Sequence, residues 1–226
     1  MDLSPSLVLS MWAGGVAAGA ALVARWAIVG PGYIWLAGGV TLLLGIPAAL
    51  AGGGLLVWTG CALAAGVITT GRRGGVASLL GASAALFFGI FAGIEGHPAI
   101  AVTGALFLGG VTVEMLLGHW YLVDPTLPWW ALRRLAVIAA AGAAADAIAL
   151  ALLGVFPWTP GDAALGIGFA VLAVASLVLL MAVIASLREE SYSGVMAATG
   201  LSYLALLTAI GAVVVGRLVL DGAVLL

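Results

Sequence analysis

The sequence predicts an all-α, polytopic membrane protein with about eight transmembrane helices in a compact bundle and both termini on the outer side. Two observations carry this prediction. The chain of 226 residues is 65% hydrophobic and only 7% charged, with a mean hydropathy of +1.31, whereas a soluble domain carries about a quarter charged residues. The apolar residues also extend over the whole length, so we expect one transmembrane domain, residues 1–226.

Glycine, proline and charged residues divide the chain into stretches close to the roughly 20 residues that cross a bilayer. The predicted spans are about 7–29, 33–51, 54–70, 76–94, 98–122, 131–155, 163–187 and 192–218. Only glycines around Gly53 separate the second span from the third. A single helix there would have about 38 residues, far more than a bilayer requires. We expect two spans, with a kink at Pro47 in the first of them.

The arginines predict the orientation, because cytoplasmic loops are enriched in cations. The chain has no lysine, and an outer N-terminus places six of its seven arginines on the cytoplasmic side, namely Arg25, Arg72, Arg73, Arg133, Arg134 and Arg188. Arg217 then lies near the other face. An even number of spans returns the C-terminus to the outer side, and the pattern is typical of a bacterial-type inner membrane.

Two carboxylates interrupt the apolar sequence, and intramembrane carboxylates are costly unless they are protonated, paired or hydrated. Glu114 shares one helical face with Gly110, Gly118 and Tyr121, so this face should point into the bundle. Asp146 lies in a stripe of small residues on the next helix. We expect the two carboxylates to be staggered by about 9 Å in depth. They are candidates for a proton relay or ion site, or else are hydrogen-bonded packing groups.

A second candidate site surrounds His119, which points away from the Glu114 face and lies near the cytoplasmic interface. Trp120, Tyr121, Arg133 and Arg134 are close to it along the chain. These residues predict a contact site for a quinone, an anionic lipid, the edge of a cofactor or a partner subunit. The competing interpretation is structural: the aromatic residues form an interfacial belt, His119 is a polar anchor and the arginines determine topology.

Several classes of site are excluded within this chain. His97 and His119 lie about 33 Å apart along one helix, so they cannot both ligate one haem. Cys61 is the only cysteine, which excludes an internal disulfide and a cysteine zinc site. The net charge of −2 gives no attraction to nucleic acid. We predict no metal site, and the sequence does not identify a cofactor.

Three functional hypotheses follow. The first is a membrane subunit of a larger energy-transducing or electron-transfer assembly, without catalytic activity of its own, that contacts its ligand or partner near His119. The second is a small proton-coupled secondary transporter that uses Glu114 and Asp146. The third is an intramembrane enzyme acting on lipid or prenyl groups, with Glu114, His119 and Arg133 as its acid, base and head-group clamp. We favour the first, because transporters line their central sites with more polar residues than this chain offers.

Overall fold

The computed structural model describes residues 4–71, 74–156, 163–188 and 191–224, and helices joined by short turns account for nearly all of them. The helices are α1 Pro5–Trp26, α2 Pro31–Ala48, α3 Gly54–Thr70, α4 Gly74–Glu95, α5 Pro98–Trp120, α6 Trp129–Leu150, α7 Ala163–Ser186 and α8 Tyr192–Val224. Within the described ranges, seven helical stretches are long and apolar enough to cross a membrane, and Pro31–Thr70, which contains α2 and α3, is one of them. The chain is therefore an all-α, multi-pass membrane protein. Large apolar side chains such as Leu43 and Leu79, both 72% exposed, form its lipid-facing surface.

The stretch Pro31–Thr70 reverses direction at its centre. After Pro47 the helix widens into a π-helical turn, Ala49–Gly53. Gly52 and Gly54 then adopt positive φ angles of 109° and 60°, a backbone conformation that favours glycine. The glycine run predicted to separate two helices is thus the turn between α2 and α3.

Contacts between α2 and α3 identify them as an antiparallel hairpin. Gly38 lies against Ile68, whereas Gly45, further along α2, lies against Cys61, which is earlier in α3. Each glycine leaves room for the facing side chain, as close helix packing in membranes requires. The 40-residue stretch is therefore two helices side by side.

The remaining contacts define the directions of the other helices. Gly14 of α1 packs on Phe88 of α4, and the Ser78 hydroxyl donates to Ala21 O at 2.9 Å, so these two helices run antiparallel. The α7 and α8 helices are also antiparallel, because Ser176 of α7 lies 2.9 Å from the Thr208 hydroxyl of α8, whereas the later Gly211 lies against the earlier Leu172. Helix direction alternates along the chain from α1 to α8.

The α1 and α5 helices run parallel and cross at the centre of the bundle. Gly15 meets Gly109, and one turn later Gly19 meets Val113. A Cβ on Gly15 would overlap the carbonyl of Ala105, so this crossing depends on glycine. The crossing lies at the middle of both helices, between the α1–α4 half of the chain and the α5–α8 half.

The two halves resemble each other in architecture. Their first helices begin alike, since Pro5 follows the N-cap Ser4 and Pro98 follows the N-cap His97. Their second helices both end in a π-helical turn that contains a glycine with a positive φ angle. This glycine is Gly52 in the first half, with a φ of 109°, and Gly154 in the second half, with a φ of 99°. The contacts Gly15–Gly109 and Gly19–Val113 keep one sequence offset, as expected for two helices that run parallel.

Candidate functional site

Glu114 lies in the middle of the α5–α8 contact and is completely buried. Its Oε2 atom is hydrogen-bonded to the Ser202 hydroxyl of α8, and one turn further along α5 the small Gly118 leaves room for Thr199. Gly110, Gly118 and Tyr121 are buried as well, so the face predicted to point inward does so. Glu114 Oε1 is buried without a hydrogen-bond partner among the described residues.

The hydrogen bonds of Ser202 constrain the chemistry of Glu114. The Ser202 hydroxyl also donates to Ala198 O at 2.8 Å, and a serine hydroxyl has a single proton to donate. The carbonyl oxygen of Ala198 can only accept a hydrogen bond, so it uses the single proton of Ser202. The contact between Ser202 and Glu114 is then also a hydrogen bond when Glu114 is a carboxylic acid and donates its own proton to Ser202 Oγ.

Asp146 is held in a buried ion pair with Arg217 of α8. Arg217 donates from Nη1 to Asp146 Oδ2 at 2.9 Å and from Nη2 to Oδ1 at 2.7 Å. The Thr103 hydroxyl donates to Asp146 Oδ1 at 2.8 Å, and Arg217 also donates to Ile100 O at 2.8 Å. Two charges can share an apolar interior when they are paired and hydrogen-bonded in this way.

The partner of Arg217 was not predicted from the sequence. The Arg217 guanidinium donates to Ile100 O in the first turn of α5, and its side chain is only 4% exposed because it reaches into the bundle to Asp146. A signal was available. A lone arginine in an apolar helix needs a buried anion, and Asp146 and Glu114 were the predicted intramembrane anions. Thr103, Ser202 and Tyr203 carried no such signal.

The two carboxylates lie further apart in depth than expected. Thr103 bonds to Asp146, so Asp146 is level with residue 103 of α5, and Glu114 follows about 16 Å along that helix. The expected stagger was about 9 Å. The α5 helix ends at Trp120 and α6 begins at Trp129, each two residues earlier than predicted. This moves Glu114 towards the turn and Asp146 away from it.

His119 is exposed on the surface, apart from the carboxylates. Its Nδ1 atom lies 3.4 Å from the hydroxyl of Tyr203 on α8, which is itself 45% exposed. The structure therefore joins His119 to α8 rather than to the start of α6. In the described part of the chain, no hydrogen bond or ion pair connects His119 to Arg133 or Arg134.

The loop after His119 is held by its own side chains. The buried Tyr121 hydroxyl donates to Leu127 O, and Asp124 Oδ1 accepts from the backbone N–H and the hydroxyl of Thr126 at 3.1 and 2.6 Å. Trp120 packs edge-on against Tyr33, with ring centroids 6.3 Å apart. These residues thus have structural roles, and among the described residues the exposed His119 ring has no hydrogen bond to this loop.

Arg133 and Arg134 are exposed at the start of α6. The Arg134 guanidinium lies over the Trp130 ring, 4.6 Å from its centroid, which is a favourable cation–π distance. Trp130 in turn packs edge-on against Trp26 at 5.1 Å. The end of α1 and the start of α6 therefore lie at the same end of the bundle.

Other predicted features have mixed outcomes. The His97 ring caps α5 by accepting from Ala99 N at 3.2 Å. Arg72 and Arg73 lie outside the described residues. Where the structure describes the chain, no three His, Cys, Asp or Glu residues are grouped as a metal site would require.

Comparisons with protein-family models, with curated proteins and with solved structures found no match. The functional argument therefore rests on the geometry of the chain itself.

Proposed function

We propose that this chain is a non-catalytic membrane subunit of a larger energy-transducing or electron-transfer assembly, and that it contacts its partner through His119 and Tyr203. The observation that carries the proposal is the exposed His119 imidazole beside Tyr203, next to a loop whose Tyr121, Asp124 and Thr126 side chains bond within the loop. Exposed aromatic and ionisable groups are typical of contact surfaces. Arg133 and Arg134 add positive charge at the same end of the bundle, suited to an anionic lipid or a quinone head group.

The proposed topology has eight membrane crossings with both termini outside. The alternating helix directions support it, because α1 and α5 are parallel while α4 runs opposite to α1. The contact between Trp26 and Trp130 supports it further, since it brings the ends that carry Arg25 and Arg133 to one side. In this orientation His119 faces the cytoplasm.

Purification from the native membrane in a mild detergent tests the subunit proposal. His119→Ala should lower the amount of co-purifying partner at least tenfold, because a central contact is removed. His97→Asn is the matched control, since it changes the other histidine and retains a side chain that can cap α5. A wild-type chain that purifies alone, or a partner equally retained by His119→Ala, contradicts the proposal.

Proton-coupled transport is the second candidate, and the geometry of Glu114 favours it. A buried carboxyl group with one unpartnered oxygen is a site at which a proton could bind and leave. Asp146 would take part only if Arg217 moved away, because the pair occupies both of its oxygens.

Proteoliposomes with an internal pH dye test this candidate. Glu114→Gln should abolish proton uptake driven by a pH gradient while the protein stays folded, because glutamine cannot exchange the carboxyl proton. Asp146→Asn reports whether the second carboxylate is needed. Uptake that persists in both variants rules this candidate out.

A further inference from the structure

Three tryptophans mark one level at the end of the bundle where α1 and α5 end. Gly15 of α1 contacts Gly109 of the parallel α5. Trp26 and Trp120 each follow by 11 residues and end these helices, so they lie at about the same depth. Trp130 of α6 joins them, because its ring packs edge-on against Trp26 at 5.1 Å. Tryptophans gather at the level of the lipid head groups, and we take this level as the edge of the hydrocarbon core.

The length of α5 agrees with this position of the membrane edge. From Pro98 to Trp120 the helix extends about 33 Å along its axis, close to the roughly 30 Å of a hydrocarbon core. Arg134 follows Trp130 by one turn towards the membrane interior, which is about 6 Å. It is nevertheless exposed. A guanidinium on the lipid-facing surface at this depth is costly unless it reaches an anion at the interface.

The Arg134 side chain is held in a position that suits such an anion. Its guanidinium turns back towards the interface and lies 4.6 Å from the centroid of the Trp130 ring. Trp26 supports this ring from the other helix. Among the described residues, Arg134 has no hydrogen-bond or ion-pair partner. A guanidinium stacked on a ring keeps its planar fork of N–H donors free, and this fork matches the oxygens of a phosphate group.

The charges around Arg134 are positive. Arg25 and Arg133 are exposed at the same end of the bundle, and neither forms an ion pair in the part of the chain that the structure describes. Asp124 is the acidic residue of the described turns at this end, and its Oδ1 atom already accepts two hydrogen bonds from Thr126. The surface around the tryptophans therefore favours an anionic ligand over a zwitterionic one.

We propose that Arg134, held by Trp130 and Trp26, binds the phosphate group of an anionic phospholipid of the cytoplasmic leaflet. The depth of the site selects this ligand, because lipid phosphates are the anions that border the hydrocarbon core. Arg25 and Arg133 add the charge that selects an anionic lipid. The inference deepens the role proposed for Arg133 and Arg134. It rests on the proposed orientation, with this end facing the cytoplasm, and requires no partner subunit.

Two variants separate a fixed site from a general attraction between charges. Arg134→Gln removes the guanidinium, and Trp130→Leu removes the ring that holds it. Arg188→Gln is the matched control, because Arg188 is also an exposed arginine, follows the end of α7 and lies outside the tryptophan cluster. The control makes the same change in net charge on the same side of the membrane.

Native mass spectrometry of the full chain in mild detergent, with anionic phosphatidylglycerol and zwitterionic phosphatidylcholine added in equal amounts, measures the bound lipid. We expect one phosphatidylglycerol per wild-type chain. Arg134→Gln and Trp130→Leu should each lower its retention at least fivefold, which corresponds to about 1 kcal/mol, whereas Arg188→Gln should change it less than twofold. Thermal unfolding identifies the variants that are folded, and Trp130→Leu decides the question if Arg134→Gln is not.

Three results would overturn the proposal. Equal losses in Arg134→Gln and Arg188→Gln would show a diffuse attraction of charge, and equal retention of phosphatidylcholine would show no preference for an anionic lipid. Displacement of the lipid by inorganic phosphate would identify a free anion as the ligand. His119→Ala should retain the phospholipid, so a failure of the subunit proposal and a failure of this one give different results.

Discussion

Arg217 of α8 and Asp146 of α6 form a two-pronged ion pair inside the bundle, with distances of 2.9 and 2.7 Å. The two residues are 4% and 2% exposed. Thr103 and Ile100 of α5 complete their hydrogen bonds, so the pair ties three helices of the second half together.

Removal of one partner should be strongly destabilising, because it leaves an unpaired charge in an apolar interior. We expect Arg217→Met or Asp146→Leu to lower the free energy of unfolding by about 3–5 kcal/mol each. The double variant should be more stable than either single one, since no charge is then left behind. Thermal unfolding in detergent measures this, with Arg188→Gln at the exposed end of α7 as control. Strictly additive effects would argue against coupling between the pair.

The hydrogen bonding of Glu114 gives a second prediction. A neutral carboxylic acid and a glutamine side chain both donate and accept, so Glu114→Gln should change stability by less than about 1 kcal/mol. Ser202→Ala leaves the buried carboxyl without its partner and should cost about 1–3 kcal/mol. Chemical or thermal unfolding compares the two. If Glu114→Gln costs as much as Ser202→Ala, the group is a carboxylate in the folded protein.

The crossing of α1 and α5 should tolerate no side chain larger than hydrogen. A Cβ at Gly15 or Gly109 would overlap the backbone of the facing helix, and overpacking of this kind costs about 1–3 kcal/mol or more. Gly15→Ala should therefore lower the unfolding temperature, whereas Gly168→Ala, at a position with open space, should leave it unchanged or raise it. A fully stable Gly15→Ala protein would show that the helices can separate at no cost.

The Tyr121 hydroxyl should hold the α5–α6 loop in place through its bond to Leu127 O. Tyr121→Phe leaves this carbonyl without its donor, so amide hydrogen exchange in residues 122–128 should accelerate. The cost is about 1–3 kcal/mol of local stability. Tyr203→Phe, which changes an exposed hydroxyl, should not affect exchange in this loop. If amide exchange is identical in Tyr121→Phe and wild type, the Tyr121 bond does not hold the loop, and the hydrogen bonds of Asp124 hold it instead.

The sequence predicted the helical class and the inward face of Glu114, because apolar stretches and small-residue periodicity report directly on packing against lipid and helices. It did not predict which polar groups meet. The pairing of Asp146 with Arg217, and of Glu114 with Ser202, depends on the register between α8 and its neighbours. That register is set by close contacts such as Gly118 with Thr199, which leave no periodic signal in the chain.

The two-helix interpretation of Pro31–Thr70 gives a final prediction about topology. Cys61 is buried and is the only cysteine, so a Cys61→Ala background allows single cysteines to be placed at will. Ala51→Cys, in the turn between α2 and α3, and Gly96→Cys, before α5, should react with a membrane-impermeant thiol reagent from the outer side. Ala51 is exposed and is not among the residues with a positive φ angle, so this change leaves the turn intact. Thr126→Cys should react only from the cytoplasm. Protection of Ala51→Cys from both sides would mean that the α2–α3 turn stays within the bilayer and that the hairpin does not cross it completely.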